Sequence, residues 1–308
     1  MTRPDEIFPI AAIILTHNEE KNIEACLKSV AGWCQEIFIV DSGSTDNTGD
    51  ICRKYTERIY EHPFQDHPSQ WNWALSTLPL TCDWVMPLDA DHIISEELHQ
   101  ELWQVMRNPA PMVDGYYARH RYFFWDVPIR GFKSRSLCLF RRGRTRLDFG
   151  ELVDHRFVVD GQTRNLAGIV YEINRNEWDI DNWIDKHQKY SSRLAIQEVL
   201  SKAGDINRDI SPSLLGNPDE RIIWAKNLWQ NLPLYFRPCL YFFYRYFIRL
   251  GFLDGKVGFI YHFLHAFWFR LMVDIKIAEL SRQISRGEIT LSQLKEAFLQ
   301  KRALSIGA

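Results

Sequence analysis

Asp89 and Asp91 are the residues whose type and spacing most directly invite chemistry. They stand two apart after the apolar run WVMPL, so in an extended segment both carboxylates point to the same side and share one ligand field. Hard divalent cations such as Mg2+ or Mn2+ take carboxylate oxygens and keep positions open for phosphate oxygens, which suits a nucleoside diphosphate. A lone D-x-D also occurs in solvated loops, but this one is the third in a series. Thr16, His17, Asn18 and Glu19 follow the run Ile10 to Leu15, and Asp41 to Asp46 follow Ile37 to Val40. An open α/β sheet binds ligands outside the carboxyl ends of its strands, where these three polar segments fall.

The second segment, DSGSTDNT at 41–48, joins acceptors, small hydroxyls and a glycine at a strand-to-helix turn. Ser44 or Thr45 suits a helix cap, and capping is compatible with a ligand site. Asp41 can accept hydrogen bonds from a base or ribose but repels phosphate, which assigns it to the nucleoside end. Arg130, Lys133, Arg135, Arg141, Arg142, Arg144 and Arg146 precede the next acid, Asp148. That run reads either as a solvated hairpin or as an anion-binding lip. His262 and His265 sit among aromatic residues and read as packing rather than as a metal site. GFLDGKV at 251–257 lacks the spacing and the Ser or Thr of a phosphate loop, and no G-x-G-x-x-G fingerprint occurs.

The elements that must position these residues follow from the apolar pattern. Short buried runs alternating with amphipathic stretches predict βα units of a mostly parallel sheet up to about residue 120. Strands are expected at Ile10 to Leu15, Ile37 to Val40, near Arg58 to Tyr60, and at Trp84 to Leu88. Helices are expected at Glu20 to Ala31, Asn47 to Tyr55, about Ser69 to Leu78, and Ser95 to Arg107 with Ser95 as its cap. Residues 115–175, with runs such as GYYARHRYFFW, SLCLFRR and HRFVVDG, predict a mixed-sheet extension. A long helix follows Trp178 to about Lys202, and the polar loop GDINRDISPSLLGNPDE closes it.

The organisation expected is an α/β domain over 1–175 and a helical module over 176–308. In that module Leu232 to Val273 is rich in Phe, Tyr and Trp but is broken by Arg237, Arg245, Arg249, Asp254, Lys256 and Arg270, so no run is long enough to span a bilayer. The segment reads as buried core or as an interfacial element whose arginines and lysine meet an anionic membrane surface.

With 308 residues and 46% hydrophobic content, the chain can bury a large core, which excludes a disordered or fibrous protein. A formal net charge of -2 supplies no global field for nucleic acid. Six cysteines without a C-x-x-C pair imply reduced core thiols rather than a disulfide framework or a zinc site. The charged start MTRPDEIF lacks a signal peptide's apolar stretch, so the chain is expected on the cytoplasmic side, where nucleotide sugars are made.

LTHNEEKNIEACLKSV, EIFIVDSGSTDNT and DWVMPLDAD, in this order and spacing, resemble the family 2 glycosyltransferases of GT-A fold, in particular the bacterial enzymes of lipopolysaccharide-core and exopolysaccharide synthesis. The likeness extends through SLCLFRR, VDHRFVVDG and the tail GFLDGKVGFIYHFLHAFWFRLMVDIKIAEL. It implies a hexosyltransferase that moves a sugar from a nucleotide donor, UDP by family weight, to a lipid-linked or membrane-associated glycan, with inversion and a divalent metal. Carried over, Thr16, Asn18, Glu19, Asp41 and Ser44 line the nucleoside pocket, Asp89 lies on the ribose side and Asp91 on the metal. Gln70 and Asn72 match a helix that approaches the nucleotide, with Trp71 standing where relatives carry arginine. Tyr171 in VYEIN replaces a histidine common in relatives.

A base for the acceptor hydroxyl is expected in GELVDHRFVVDG. A strand there places Glu151, Val153 and His155 on one face and Leu152, Asp154 and Arg156 on the other. The resemblance favours Asp154, with His155 second because imidazole also accepts a proton near neutral pH, and Glu151 third. Two other classes fit the sequence less well. A nucleotidyltransferase lacks support because HNEE stands where its glycine- and arginine-rich loop belongs. A non-catalytic membrane scaffold is disfavoured by the intact Asp41, Asp89 and Asp91.

Overall fold

A computed structural model of the chain describes residues 6–110, 112–132, 134–148, 155–206 and 208–296. Its first half is a run of parallel strands: β1 (Phe8–Thr16), β2 (Cys34–Asp41), β3 (Ile59–Glu61) and β4 (Trp84–Asp89), ordered β3-β2-β1-β4. The connections are α1 (Ile23–Val30), α2 (Thr48–Cys52) and α3 (His67–Thr77). β1 is apolar throughout because both its faces are covered. Ile10, Ala12 and Ile14 pack with Ile23, Leu27 and Val30 of α1. Ala11, Ile13 and Leu15 pack on the other face with Phe38, Trp71 and Ala74. Two apolar layers on one strand are the mark of a central parallel strand.

Beyond β4 the sheet turns mixed, as the β-branched and aromatic runs predict. β5 (His92–Ile94) is followed by α4 (Glu96–Arg107), whose cap is Ser95, accepting from the Leu98 N–H at 3.2 Å. β6 (Val113–Phe124), β7 (Val127–Pro128), β8 (Ser134–Arg141) and β11 (Gln162–Glu172) complete the order β4-β8-β6-β11-β5, with β7 paired to β6. β9 (Thr145–Asp148) and β10 (Arg156–Val159) form a separate antiparallel pair.

The helices after the sheet are α5 (Ile180–Lys202), α6 (Pro218–Gln230), α7 (Phe236–Phe243), α8 (Gly255–His262) and α9 (Phe269–Ser285). Asp179 caps α5 by accepting from the Asp181 and Asn182 N–H groups, and Asn217 with Glu220 forms a capping box on α6. α5 and α9 pack through Ala195, Val199 and Leu200 against Phe269, Val273 and Ile277. Among the described residues no helix is long and apolar enough to cross a membrane.

Two expectations for the tail change. Arg237 and Arg245 do not reach a membrane surface: both are buried, at 0% and 1% exposure. Arg237 donates to Asp274 Oδ1 from Nε at 2.8 Å and to Glu198 Oε1 from Nη1 at 2.8 Å. Arg245 lies over the rings of Phe132, Tyr241 and Tyr261. A buried guanidinium demands such partners, and helix packing supplies them. Five of the cysteines are buried free thiols, but Cys239 is exposed on α7.

Candidate active site

Parallel pairing brings the three polar strand ends together. Thr16 is in register with Asp41, and Leu15 with Asp89, so β1, β2 and β4 end side by side on one sheet edge. A cavity of about 710 Å³ opens there. Thr16, Glu19, Gln70, Asp89 and Asp91 line it, together with Ser42 and Gly43.

Asn18, Asp41 and Ser44 knit the rim instead of lining this cavity. Asn18 takes a left-handed backbone conformation with φ 54. Its N–H donates to Ser44 Oγ at 2.8 Å, and its Oδ1 accepts from the Thr45 N–H at 2.8 Å. Asp41 accepts from the Ser44 N–H at 2.9 Å and from the Ser44 hydroxyl at 2.5 Å. These bonds lock the first two strand-end loops against each other and set the width of the site. Neither Ser44 nor Thr45 caps α2: the Thr48 N–H donates to Asp46 Oδ1 at 3.0 Å, and the Thr48 hydroxyl accepts from the Glu19 N–H at 2.8 Å.

The Asp89–Asp91 segment is a turn between β4 and β5, not an extended strand. The turn still delivers both carboxylates to one place, because His92 follows at once. Its Nδ1 accepts the backbone N–H of Asp89 at 3.1 Å. Its Nε2 lies 3.8 Å from Asp89 Oδ2 and 4.0 Å from Asp91 Oδ1. A neutral ring that accepts at Nδ1 carries its proton on Nε2, so His92 turns an N–H toward both carboxylates at electrostatic rather than hydrogen-bonding distance.

Burial dominates the electrostatics, and acidic crowding adds to it. Asp91 is pushed up to about 7 by burial; His92 opposes the rise, and Glu172, Asp89 and Glu19 add repulsion. Glu19 is also pushed up to about 7 by burial, against a hydrogen bond from Asn22 and the charge of Lys186. His92 is raised: burial opposes its charge, and Asp89, Asp91 and Glu172 overcome that. The ligand atoms of Asp89, Asp91 and His92 lie within 4.8 Å of one another, as do those of His92, His120 and Glu172. An all-oxygen pair of half-buried carboxylates with repulsion to relieve fits a hard divalent cation on Asp91 and Asp89.

Several lining residues carried no sequence signal. Asn176, Glu177, Asn182, Lys186 and Tyr190 come from the turn after β11 and from α5. Asn176 donates to the Asn18 carbonyl at 3.0 Å and to Glu19 Oε2 at 3.2 Å, which ties that turn to the end of β1. Lys186 pairs with Glu177, which also accepts from the Tyr122 hydroxyl at 2.9 Å. Burial works against the Lys186 charge, but Glu177 outweighs it and holds the ammonium above its ordinary range. α5 thus brings a cation to a site otherwise rich in carboxylates. Glu172 is legible in hindsight from VYEIN, as the acid ending a strand; Tyr171 beside it packs edge-on against Phe123.

Gln70 is fully buried and bonded to the Ser42 hydroxyl at 3.1 Å and to His62 Nδ1 at 2.8 Å. Asn72, on the same helix, is exposed and is not among the described residues that line the 710 Å³ cavity. Trp71 is fully buried, its ring 5.5 Å from those of His155 and Phe157. His155 therefore stands among rings, on the wall of a cavity of about 290 Å³ that also meets Asp89, His92 and Glu172. Asp154 and Glu151 lie outside the described residues.

A mixed sheet with flanking helices and carboxylates at its parallel strand ends defines the GT-A class of nucleotide-sugar transferases. The chain belongs to glycosyl transferase family 2, whose profile matches residues 11–166, and it is a glycosyltransferase. It is 30% identical over 201 residues to the lipopolysaccharide core biosynthesis glycosyltransferase LpsC of Rhizobium meliloti, covering 63% of this chain and 73% of that one. An uncharacterized glycosyltransferase of Rickettsia bellii is 26% identical over 304 residues, covering 94% of this chain and 92% of its own. Among solved structures, S. aureus TarS 1–349 aligns over 90% of this chain and 91% of its own, at 14% identity and a TM-score of 0.41.

Proposed function

We propose that this glycosyltransferase moves a sugar, with inversion, from a UDP-sugar to a lipid-linked or membrane-associated glycan in cell-surface polysaccharide synthesis. The observation that carries the reading is the convergence of Asp89 and Asp91 with Glu19 at adjacent strand ends, beside Lys186 and in a cavity large enough for a nucleotide sugar. In this reading Thr16, Glu19 and Gln70 line the nucleotide, while Asn18, Asp41 and Ser44 hold the loops that shape its seat. Asp89 and Asp91 hold Mg2+ or Mn2+, which when bound offsets the charge of the departing nucleoside diphosphate. Asp154 takes the proton of the attacking hydroxyl, with His155 the second candidate. The base must come within about 2.6–3.2 Å of that hydroxyl.

The name of LpsC supports a lipopolysaccharide-type acceptor. Membrane attachment is supported by the α7–α8 region, where Phe236, Phe243, Phe247, Ile248, Phe252 and Phe259 are all exposed. So many exposed apolar side chains along one stretch of chain suit the headgroup region of the inner leaflet, on the cytoplasmic side. With Arg237 and Arg245 buried, the basic contribution to anionic lipid falls to Arg249 and Lys256.

The test is donor turnover with extracted membranes as acceptor. Release of UDP and incorporation of labelled sugar into lipid-extractable glycan, both stopped by a chelator and restored by Mn2+, is the expected result. A purified chain that binds no nucleotide in Mn2+ would overturn the reading.

A further inference from the structure

We propose that an arginine-lined groove next to the donor cavity seats a phosphate or diphosphate group carried by the acceptor; assigning that anion to the acceptor rests on the glycosyltransferase reading, and the anion site itself does not.

The groove, about 740 Å³, lies between β6, β8 and α6 and is lined by Arg119, Arg121, Arg130, Arg135, Arg221 and Arg249. Among the described residues no carboxylate lines it. Arg130 is neutralised by Asp254, and Arg249 donates to the Tyr244 hydroxyl at 2.9 Å. Among the described residues the other four pair with no carboxylate. Arg119 and Arg135 stand directly opposite each other in the β6–β8 register. Like charges in that position destabilise a sheet unless something between them carries the opposite charge.

What holds these two side chains is neutral. Arg119 donates from Nε to the Ala167 carbonyl at 2.9 Å, and Arg135 donates from Nη1 to the Leu166 carbonyl at 2.9 Å. The register of β11 shifts between Asn165 and Ile169, which leaves these carbonyls turned out of the ladder and available. The guanidiniums are therefore positioned without being neutralised. Burial and the charges of Arg119 and Arg221 hold Arg135 below its ordinary range, against the weaker pull of Glu101, which does not pair with it. Planar forks fixed in this way match tetrahedral phosphate, and several of them match its double charge.

Position ties the groove to the chemistry. Arg135 and His120 also line the 290 Å³ cavity that reaches Asp89, His92 and Glu172. An acceptor anchored by its phosphate in the groove extends along that passage toward the sugar donor. The basic run near residues 130–146 does not act as one lip: Arg141 and Arg144 turn to Asp114, Arg146 faces Asp160, and Arg142 donates to the Leu80 carbonyl. Of its described members Arg130 and Arg135 face the groove, and Arg119, Arg121 and Arg221 join them from elsewhere in the chain.

The experiment titrates inorganic pyrophosphate into the full chain by calorimetry, in chelator, where the carboxylate-rich donor site repels the anion. Arg121→Gln/Arg221→Gln, at exposed positions, is expected to lose at least about tenfold in pyrophosphate affinity with its melting temperature unchanged, and Arg121→Lys/Arg221→Lys to recover most of it. UDP affinity in Mn2+ should stay within about twofold of wild type. Phosphatidylcholine vesicles with and without phosphatidic acid then assign the source: a parallel loss of phosphatidic acid binding identifies a lipid headgroup, and unchanged vesicle binding identifies a phosphate on the glycan. Equal pyrophosphate binding by wild type and the glutamine variant would overturn the proposal, as would loss of UDP binding in that variant, which would make the groove part of the donor site. Failure of wild type to bind UDP would remove the UDP-sugar reading but leave the pyrophosphate result standing.

Discussion

His92 accepts the backbone N–H of Asp89 on Nδ1 at 3.1 Å and presents Nε2 3.8 Å from that residue's Oδ2. One ring thus fixes the backbone of Asp89 and sets its N–H side toward the carboxylate. His92→Phe keeps the volume but loses both interactions, and Mn2+-dependent UDP affinity is expected to fall by about 10–100-fold. Calorimetry with UDP in Mn2+ measures it; unchanged affinity would remove His92 from the site.

Asp91 gives a pH signature. Its folded value is raised to about 7, so the folded chain keeps a proton that the unfolded chain has already released. The stability this confers is complete below the ordinary carboxylate range and is lost as pH rises to about 7 and beyond. In chelator, Asp91→Asn should therefore be more stable than wild type at pH 8, by on the order of 2 kcal/mol, and the gap should narrow at pH 5 and close only below the ordinary carboxylate range. Added Mn2+ should stabilise wild type and not the variant. Chemical denaturation at the two pH values reads the difference, and the variant should show no transfer.

Lys186 and Glu177 form an ion pair whose carboxylate is 10% exposed and whose ammonium, at 42%, opens on the cavity. Lys186→Met leaves Glu177 uncompensated and should cost about 2 kcal/mol, less than for a fully buried pair. Lys186→Met/Glu177→Gln should recover most of that loss but not the donor affinity. A double variant as unstable as the single one would show that the pair is not what Lys186 contributes.

Phe243 and Phe247 are about half exposed and 5.1 Å apart between ring centres. Replacing each with serine should weaken binding to anionic liposomes by about 1 kcal/mol, roughly fivefold per residue. Lys256→Glu should add a salt-sensitive loss. Flotation provides the comparison; wild-type protein that stays unbound would assign the aromatic face to something other than lipid.

Asp154→Asn is expected to lower turnover by about 10²–10⁴-fold at unchanged UDP affinity, while His155→Gln retains most activity. His155 packs between Trp71 and Phe157, so its loss should register first in stability. Retained turnover in Asp154→Asn with loss in His155→Gln would transfer the base to the histidine.

By itself the sequence determined the catalytic half of the sheet and the identity of its carboxylates. Runs such as AAIIL and EIFIV are buried on both faces, which forces β1 and β2 into the sheet centre, and parallel strands must end on one edge. Asp41, Asp89 and Glu19 therefore had to meet near one another, and Ser95 announced its helix through local capping chemistry. Tertiary structure decided what long-range packing decides. Lys186 and Asn176 enter the site from more than 150 residues beyond Asn18, on a helix and the turn before it, whose local pattern says nothing about a cavity. Arg237 and Arg245 looked like surface charges in an aromatic segment, but Asp274, Glu198 and a ring of aromatics made their burial possible. The basic run near β8 was divided in the same way, because each guanidinium goes to whichever acid the chain folds beside it. Arg135 was left to the groove because the β11 register shift offered it a carbonyl, Leu166, where a carboxylate would have cancelled its charge.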